Sequence, residues 1–144
     1  MNKDDKSKMF DCLERLNSVI NNSFGEFDFN NEDIKAFIKS NDFYIEKYGK
    51  RNKKKALEHN NYIVFVSNKY NGKFDLAHDI LRHIRNAIAH SLVIKKSNKR
   101  KNGDVYYSLT DYNKSGNESM IGQCRLDLFY SLIDALIGTR KQII

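Results

Sequence analysis

The stretch from Phe74 to Ser91, FDLAHDILRHIRNAIAHS, constrains the fold of this chain more than any other. It lacks Gly and Pro, and its apolar residues recur at helical spacing. At about 100° per residue, Phe74, Ala77, Ile80, Leu81, Ile84, Ala87 and Ile88 share one broad face, which needs a core to cover it. Opposite lie Asp79, Arg82, His83, Asn86 and His90, with Arg85 at the edge of the stripe. Ala89 sits among these polar residues and leaves room for something to approach the helix. A polar helix face is ordinarily a solvated one. This one is unusual in kind. The chain takes most of its positive charge from Lys, yet the window from Asp79 to His90 holds no Lys or Glu, and instead has two Arg, two His and one Asn. Lys and Glu serve solubility; Arg, His and Asn suit a phosphate or a transferable proton.

RNA carries its own nucleophile, the 2′-OH beside the scissile phosphate. An enzyme without a metal then needs a group to exchange a proton and a cation to meet the growing charge. His suits the first task, with an unperturbed pKa of about 6.5. Arg suits the second, because its guanidinium forks onto phosphate oxygens. Asn86 can orient either group without adding charge. DNA, lacking the 2′-OH, should stay intact. Five positions along a straight helix set Arg85 and His90 about 140° apart. They converge if the helix ends near His90, or if two copies of the helix face one another.

The order Arg85-Asn86-Ala87-Ile88-Ala89-His90 resembles the R-x(4–6)-H motif of the HEPN superfamily, including the polar residue that often follows the Arg. The apolar flanks Leu81, Ile84 and Leu92 suit the family pattern too. HEPN domains are small helical bundles, many of them metal-independent ribonucleases of toxin–antitoxin, phage-defence and RNA-processing systems. The resemblance implies Arg85, Asn86 and His90 as catalytic residues, a homodimer with the motif helices at its interface, and no metal or cofactor. Products would carry a 2′,3′-cyclic phosphate and a 5′-hydroxyl. Arg82 and His83 would be additional phosphate contacts or supports. Members paired with nucleotidyltransferase antitoxins often continue as H-x-Y. Here that position is Leu92, which puts silencing by tyrosine modification in doubt.

At 144 residues the chain suits one domain, 1–144, with a single core. Its net charge of +7 is uneven: residues 1–46 carry 6 basic and 10 acidic side chains, the rest 19 and 8. The later two-thirds therefore suit a nucleic-acid partner, or an acidic protein. Cys12 and Cys124 lie far apart without metal-ligand spacing, consistent with a reducing cytoplasm. No apolar run is long enough to span a bilayer, and MNKDDKSKMF is too charged for a signal peptide. His78, Asp79 and His83 are weak candidates for a metal set, because neighbouring helix positions point apart; His83 pairs better with Asp79 at i,i+4.

Along the chain, helical spacing predicts a first helix from Ser7 to about Asn22. A second is capped by Asn31 and runs through Ile34, Phe37 and Ile38, with a break at 40–42 and an extension to Tyr48. The run KYGKRNKKK (47–55) reads as a solvated connection or helix start, or as a grip on an RNA backbone. Residues 56–69 are expected to form a third helix, with a strand at YIVFV as the alternative. After His90, a β-hairpin is expected around Asn102-Gly103-Asp104. Its tip carries Lys95, Lys96, Lys99, Arg100 and Lys101, beside the motif helix and available to RNA; Tyr106, Tyr107 and Tyr112 either stack on bases or pack on the bundle. A last helix follows from Cys124 to about Thr139. The expected fold is thus an all-α, HEPN-like bundle of four to five helices with a small hairpin before the last one. The expected function is metal-independent RNA cleavage by a homodimer, within a toxin–antitoxin or phage-defence system and with a possible antitoxin or defence partner. A non-catalytic RNA- or protein-binding module and a plain dimerising scaffold are the alternatives.

Overall fold

The segment YIVFV is a strand, and with it the architecture changes class. The computed structural model describes residues 1–141. In chain order its elements are α1 (Lys3–Ile20), α2 (Glu32–Ser40), β1 (Phe43–Lys47), α3 (Lys50–Ala56), β2 (Asn61–Phe65), α4 (Leu76–Ala89), β3 (Val93–Asn98), β4 (Asp104–Tyr112), β5 (Glu118–Arg125) and α5 (Leu126–Ile137). The all-α expectation is overturned. Among the described residues the centre is a five-stranded sheet in the order β1-β2-β5-β4-β3. β1 and β2 run parallel, and the other neighbours are antiparallel.

Three corrections explain the difference. Helix two stops at Ser40, and the residues expected to extend it form β1. The expected third helix is β2, whose β-branched and aromatic content favours a pleated, buried surface. β5 is a strand that takes in Cys124 and Arg125, the first residues of the expected last helix. The charge run becomes α3, which bridges the parallel strands β1 and β2. A parallel pair needs a crossover of a dozen or more residues, and the segment from 48 to 60 is just long enough.

One face of the sheet carries the core. Phe43, Ile63, Phe65, Met120, Cys124, Tyr107, Leu109 and Val93 pack there with buried residues of α1, α4 and α5. On α4 the expected stripe is buried from Ala77 to Ala87, while Phe74 lies before the helix and is 43% exposed and Ile88 is half-buried. On α5 Phe129, Leu132, Ile133 and Leu136 are buried. Burial pushes the Cys12 thiol up to about 11, so it stays protonated at neutral pH. No helix among the described residues is long and apolar enough to cross a membrane.

The placement of α4 depends on Asp75. One carboxylate oxygen accepts the His78 N–H at 3.0 Å as the N-cap. The other accepts the N–H groups of Gly25 and Phe27, at 2.7 and 3.3 Å, and so ties the α1–α2 loop to the start of α4. The caps of an ordinary helix serve one element; this one fixes two.

Candidate functional site

α4 ends in a Schellman turn that exposes His90. Ser91 adopts a left-handed φ of 58°, so that its N–H reaches Ile88 O at 3.0 Å and the Leu92 N–H reaches Ala87 O at 2.7 Å. His90 is the C-cap, with its ring on the exposed side of the turn. Asn86 stands one turn earlier. The two border a cleft of about 510 Å³ together with Asp111, Tyr112 and Lys114. Tyr112 keeps 49% of its surface open there. A register shift between Asp111 and Tyr112 breaks the β4–β5 ladder at this point, as bulges beside binding sites commonly do.

Behind the stripe runs a chain of hydrogen bonds. His83 is buried, and its two ring nitrogens face oxygens at 2.8 Å: Nε2 the Val66 carbonyl and Nδ1 the Asp111 carboxyl. The carbonyl can only accept, so Nε2 donates, and the remaining proton is shared between Nδ1 and Asp111. The same Asp111 oxygen accepts from Asn86 Nδ2 at 3.2 Å, and its other oxygen accepts the Tyr112 N–H at 2.9 Å. With its amide nitrogen committed to Asp111, Asn86 presents its oxygen to Arg85 Nε at 2.8 Å. Asn17 Oδ1 on α1 takes a second guanidinium N–H at 3.2 Å. Among the described residues no carboxylate lies within 4.0 Å of Arg85. Two neutral oxygens thus aim its guanidinium without neutralising it.

Several expected site residues take other roles. His83 is not an RNA contact: it is 2% exposed and fully engaged, and its partner is Asp111 rather than Asp79. Asp79 accepts from Ser67 Oγ at 2.8 Å and lies 3.5 Å from Arg82, so Arg82 carries a partly compensated charge. His78 bonds the Ile20 carbonyl through Nε2 at 3.0 Å. Lys95 is bound to Asp5 at 2.7 Å and fastens β3 to the start of α1. The Lys95 partner holds the Asp5 carboxyl below the usual carboxylate range. The hairpin tip with Lys99, Arg100 and Lys101 is not beside α4. It stands a six-residue strand away, roughly 20 Å. Lys96 is exposed on β3.

Arg85 and His90 do not share a cavity within one chain. Arg85 borders a separate cleft with Asn17, His78 and Arg82, and Asn86 stands between the two. Family models, curated proteins and solved structures give no match to this chain. Asp111 and Asn17 are the site residues that sequence reasoning missed, whereas Tyr112, a candidate for base stacking, does border the cleft. For Asp111 a signal existed, since in the strand segment Leu109-Thr110-Asp111 a carboxyl falls on the same inward face as Leu109.

Proposed function

We propose that this chain is a metal-independent endoribonuclease acting through Arg85 and His90, with Asn86 as the positioning residue. The observation that carries the reading is the aimed, uncompensated Arg85 guanidinium on the same helix as an exposed histidine five residues on. In the reaction His90 takes the proton of the ribose 2′-OH, whose oxygen attacks phosphorus. The bond to the 5′-oxygen breaks, that oxygen leaves with a proton from water, and the hydroxide so formed takes the 2′-OH proton back from His90. Arg85 meets the charge that grows on the non-bridging oxygens. Products are a 2′,3′-cyclic phosphate and a 5′-hydroxyl. The likeness to HEPN ribonucleases is confined to α4 and its motif, since the sheet departs from their helical bundle. A toxin–antitoxin or phage-defence role with a protein partner that restrains the enzyme rests on that likeness alone, and a cytoplasmic setting on the two free cysteines.

The separation of Arg85 from His90 favours a symmetric homodimer, in which Arg85 of one copy and His90 of the other meet on one phosphate. Ala89 is exposed between them and allows close approach. Beside the stripe, Phe10, Leu13, Ile88 and Ile94 line an apolar groove of about 580 Å³, with Phe10 59% exposed. The same separation also supports the second reading, a non-catalytic RNA-binding module.

Purified protein incubated with single-stranded RNA in EDTA separates these readings. The proposal expects fragments that end in 2′,3′-cyclic phosphate and 5′-hydroxyl, and an uncut DNA strand of the same sequence. RNA that is bound but uncut would favour the binding module.

A further inference from the structure

The sheet face turned away from the core is built as a trough with two basic walls. On one side α3 lies across β1 and β2, with Ala56 fully buried beneath it. Lys50, Lys53, Lys54 and Leu57 of this wall, with Tyr48 and Ile121, border a groove of about 500 Å³. On the other side the β3–β4 turn, a short 3-10 segment over Lys99–Lys101, curls inward. The Asn98 side chain reaches Gln123 on β5, and the Arg100 charge lies close enough to Tyr62 on β2 to oppose the upward push that burial gives that phenol. Half-buried Ser108, Thr110 and Ile121 form the floor.

The walls carry charge that the chain itself leaves unbalanced. Among the described residues none of Lys50, Lys54, Lys99, Arg100 and Lys101 has a carboxylate within 4.0 Å. Lys53 alone has a partner, Glu118 at 2.8 Å. α3 is KRNKKKA, without an acidic residue in its first turn and without a side-chain cap on Gly49. Like charges at i,i+3 and i,i+4 repel, and cations in a first turn oppose the helix dipole. A seven-residue helix has little stability of its own with which to offset this. An extended polyanion lying between the walls would relieve both costs and release counterions.

We infer that this trough binds the phosphate backbone of a single strand of nucleic acid. α3 lies over β1 and β2 while the turn reaches β5 and β2, so the walls stand within one or two strand steps of each other, roughly 5–10 Å. That admits one strand and excludes an A-form duplex. The floor hydroxyls of Ser108 and Thr110 can both donate to and accept from unpaired base edges, whereas the carboxylates of an acidic peptide only accept. The inference stands apart from the proposed cleavage, because the trough lies on the opposite face of the sheet from α4.

The test uses fluorescein-labelled oligothymidylate of about 15 nucleotides, a length suited to single-strand sites. Lacking the 2′-OH, it cannot be cut by the proposed chemistry, so binding is read separately from catalysis. Anisotropy titrations compare wild type with Lys50→Glu/Lys54→Glu and with Lys99→Glu/Lys101→Glu, each checked for an unchanged thermal melt. The expected result is a loss of about tenfold or more in affinity for each pair, and a flatter salt dependence, since each phosphate contact contributes about −0.7 to the slope. Wild-type affinity in both pairs would overturn the inference, as would displacement by polyglutamate or duplex as effective as by the single strand.

Discussion

Replacing His90 by alanine is expected to lower RNA cleavage by about 10²–10⁴-fold, the usual contribution of a positioned proton-transfer group. The fold should not suffer. His90 caps α4 through its backbone, and its ring is exposed rather than packed. Affinity for RNA should remain close to wild type, because the unbalanced charge lies on Arg85 and on the two basic walls. The measurement is a pair of curves on one preparation: single-turnover cleavage and equilibrium binding to the same RNA. Unchanged cleavage would remove His90 from the mechanism. Parallel loss of binding and cleavage would make it a contact residue instead.

The largest stability effect is expected at Asp111. Its carboxyl receives His83 Nδ1, Asn86 Nδ2 and the Tyr112 N–H, and it is 2% exposed. Asp111→Ala leaves these donors without their acceptor, and the His83 ring, 2% exposed, is closed to water that could replace it. Breaking a buried charge pair from one side costs about 3–5 kcal/mol, which for a chain of this size is a fall in Tm of roughly 10–15 °C. Thermal unfolding followed by circular dichroism measures it. Activity should fall further than the folded fraction does, because Asn86 loses the bond that turns its oxygen toward Arg85. A variant that melts with wild type would show that the His83–Asp111–Asn86 chain does not hold β4 to α4.

How far the fold was legible depended on whether a residue's partner lay close in sequence. The stripe of α4, the core stripe of α5 and the hairpin around Asn102-Gly103 follow from local periodicity and turn chemistry. The strands β1, β2 and β5 do not. β2 reads as the nearly continuous apolar run Tyr62–Phe65, which periodicity cannot distinguish from a buried helix. In β5, Gly122 and Gln123 interrupt any alternation, and Gly122 is seated against the Tyr62 carbonyl of β2, where an added Cβ would approach to 3.1 Å. The candidate site divides in the same way. Arg85, Asn86 and His90 were visible as a local motif. The His83 partner lies 28 positions away, whereas the local rule pointed to Asp79. Lys95 looked like a free cation because Asp5, at the other end of the chain, was out of view.

Mixing two inactive variants tests the central claim most directly. Arg85→Ala and His90→Ala proteins are prepared separately, combined in equal amounts under conditions that exchange subunits, and assayed on RNA in EDTA. If Arg85 of one copy and His90 of the other act on one phosphate, each mixed dimer regains one of its two sites, and activity returns to about a quarter of wild type. If the mixture stays as inactive as its components while wild type cuts, the two residues do not complete a site across an interface, and the account of α4 given above is wrong.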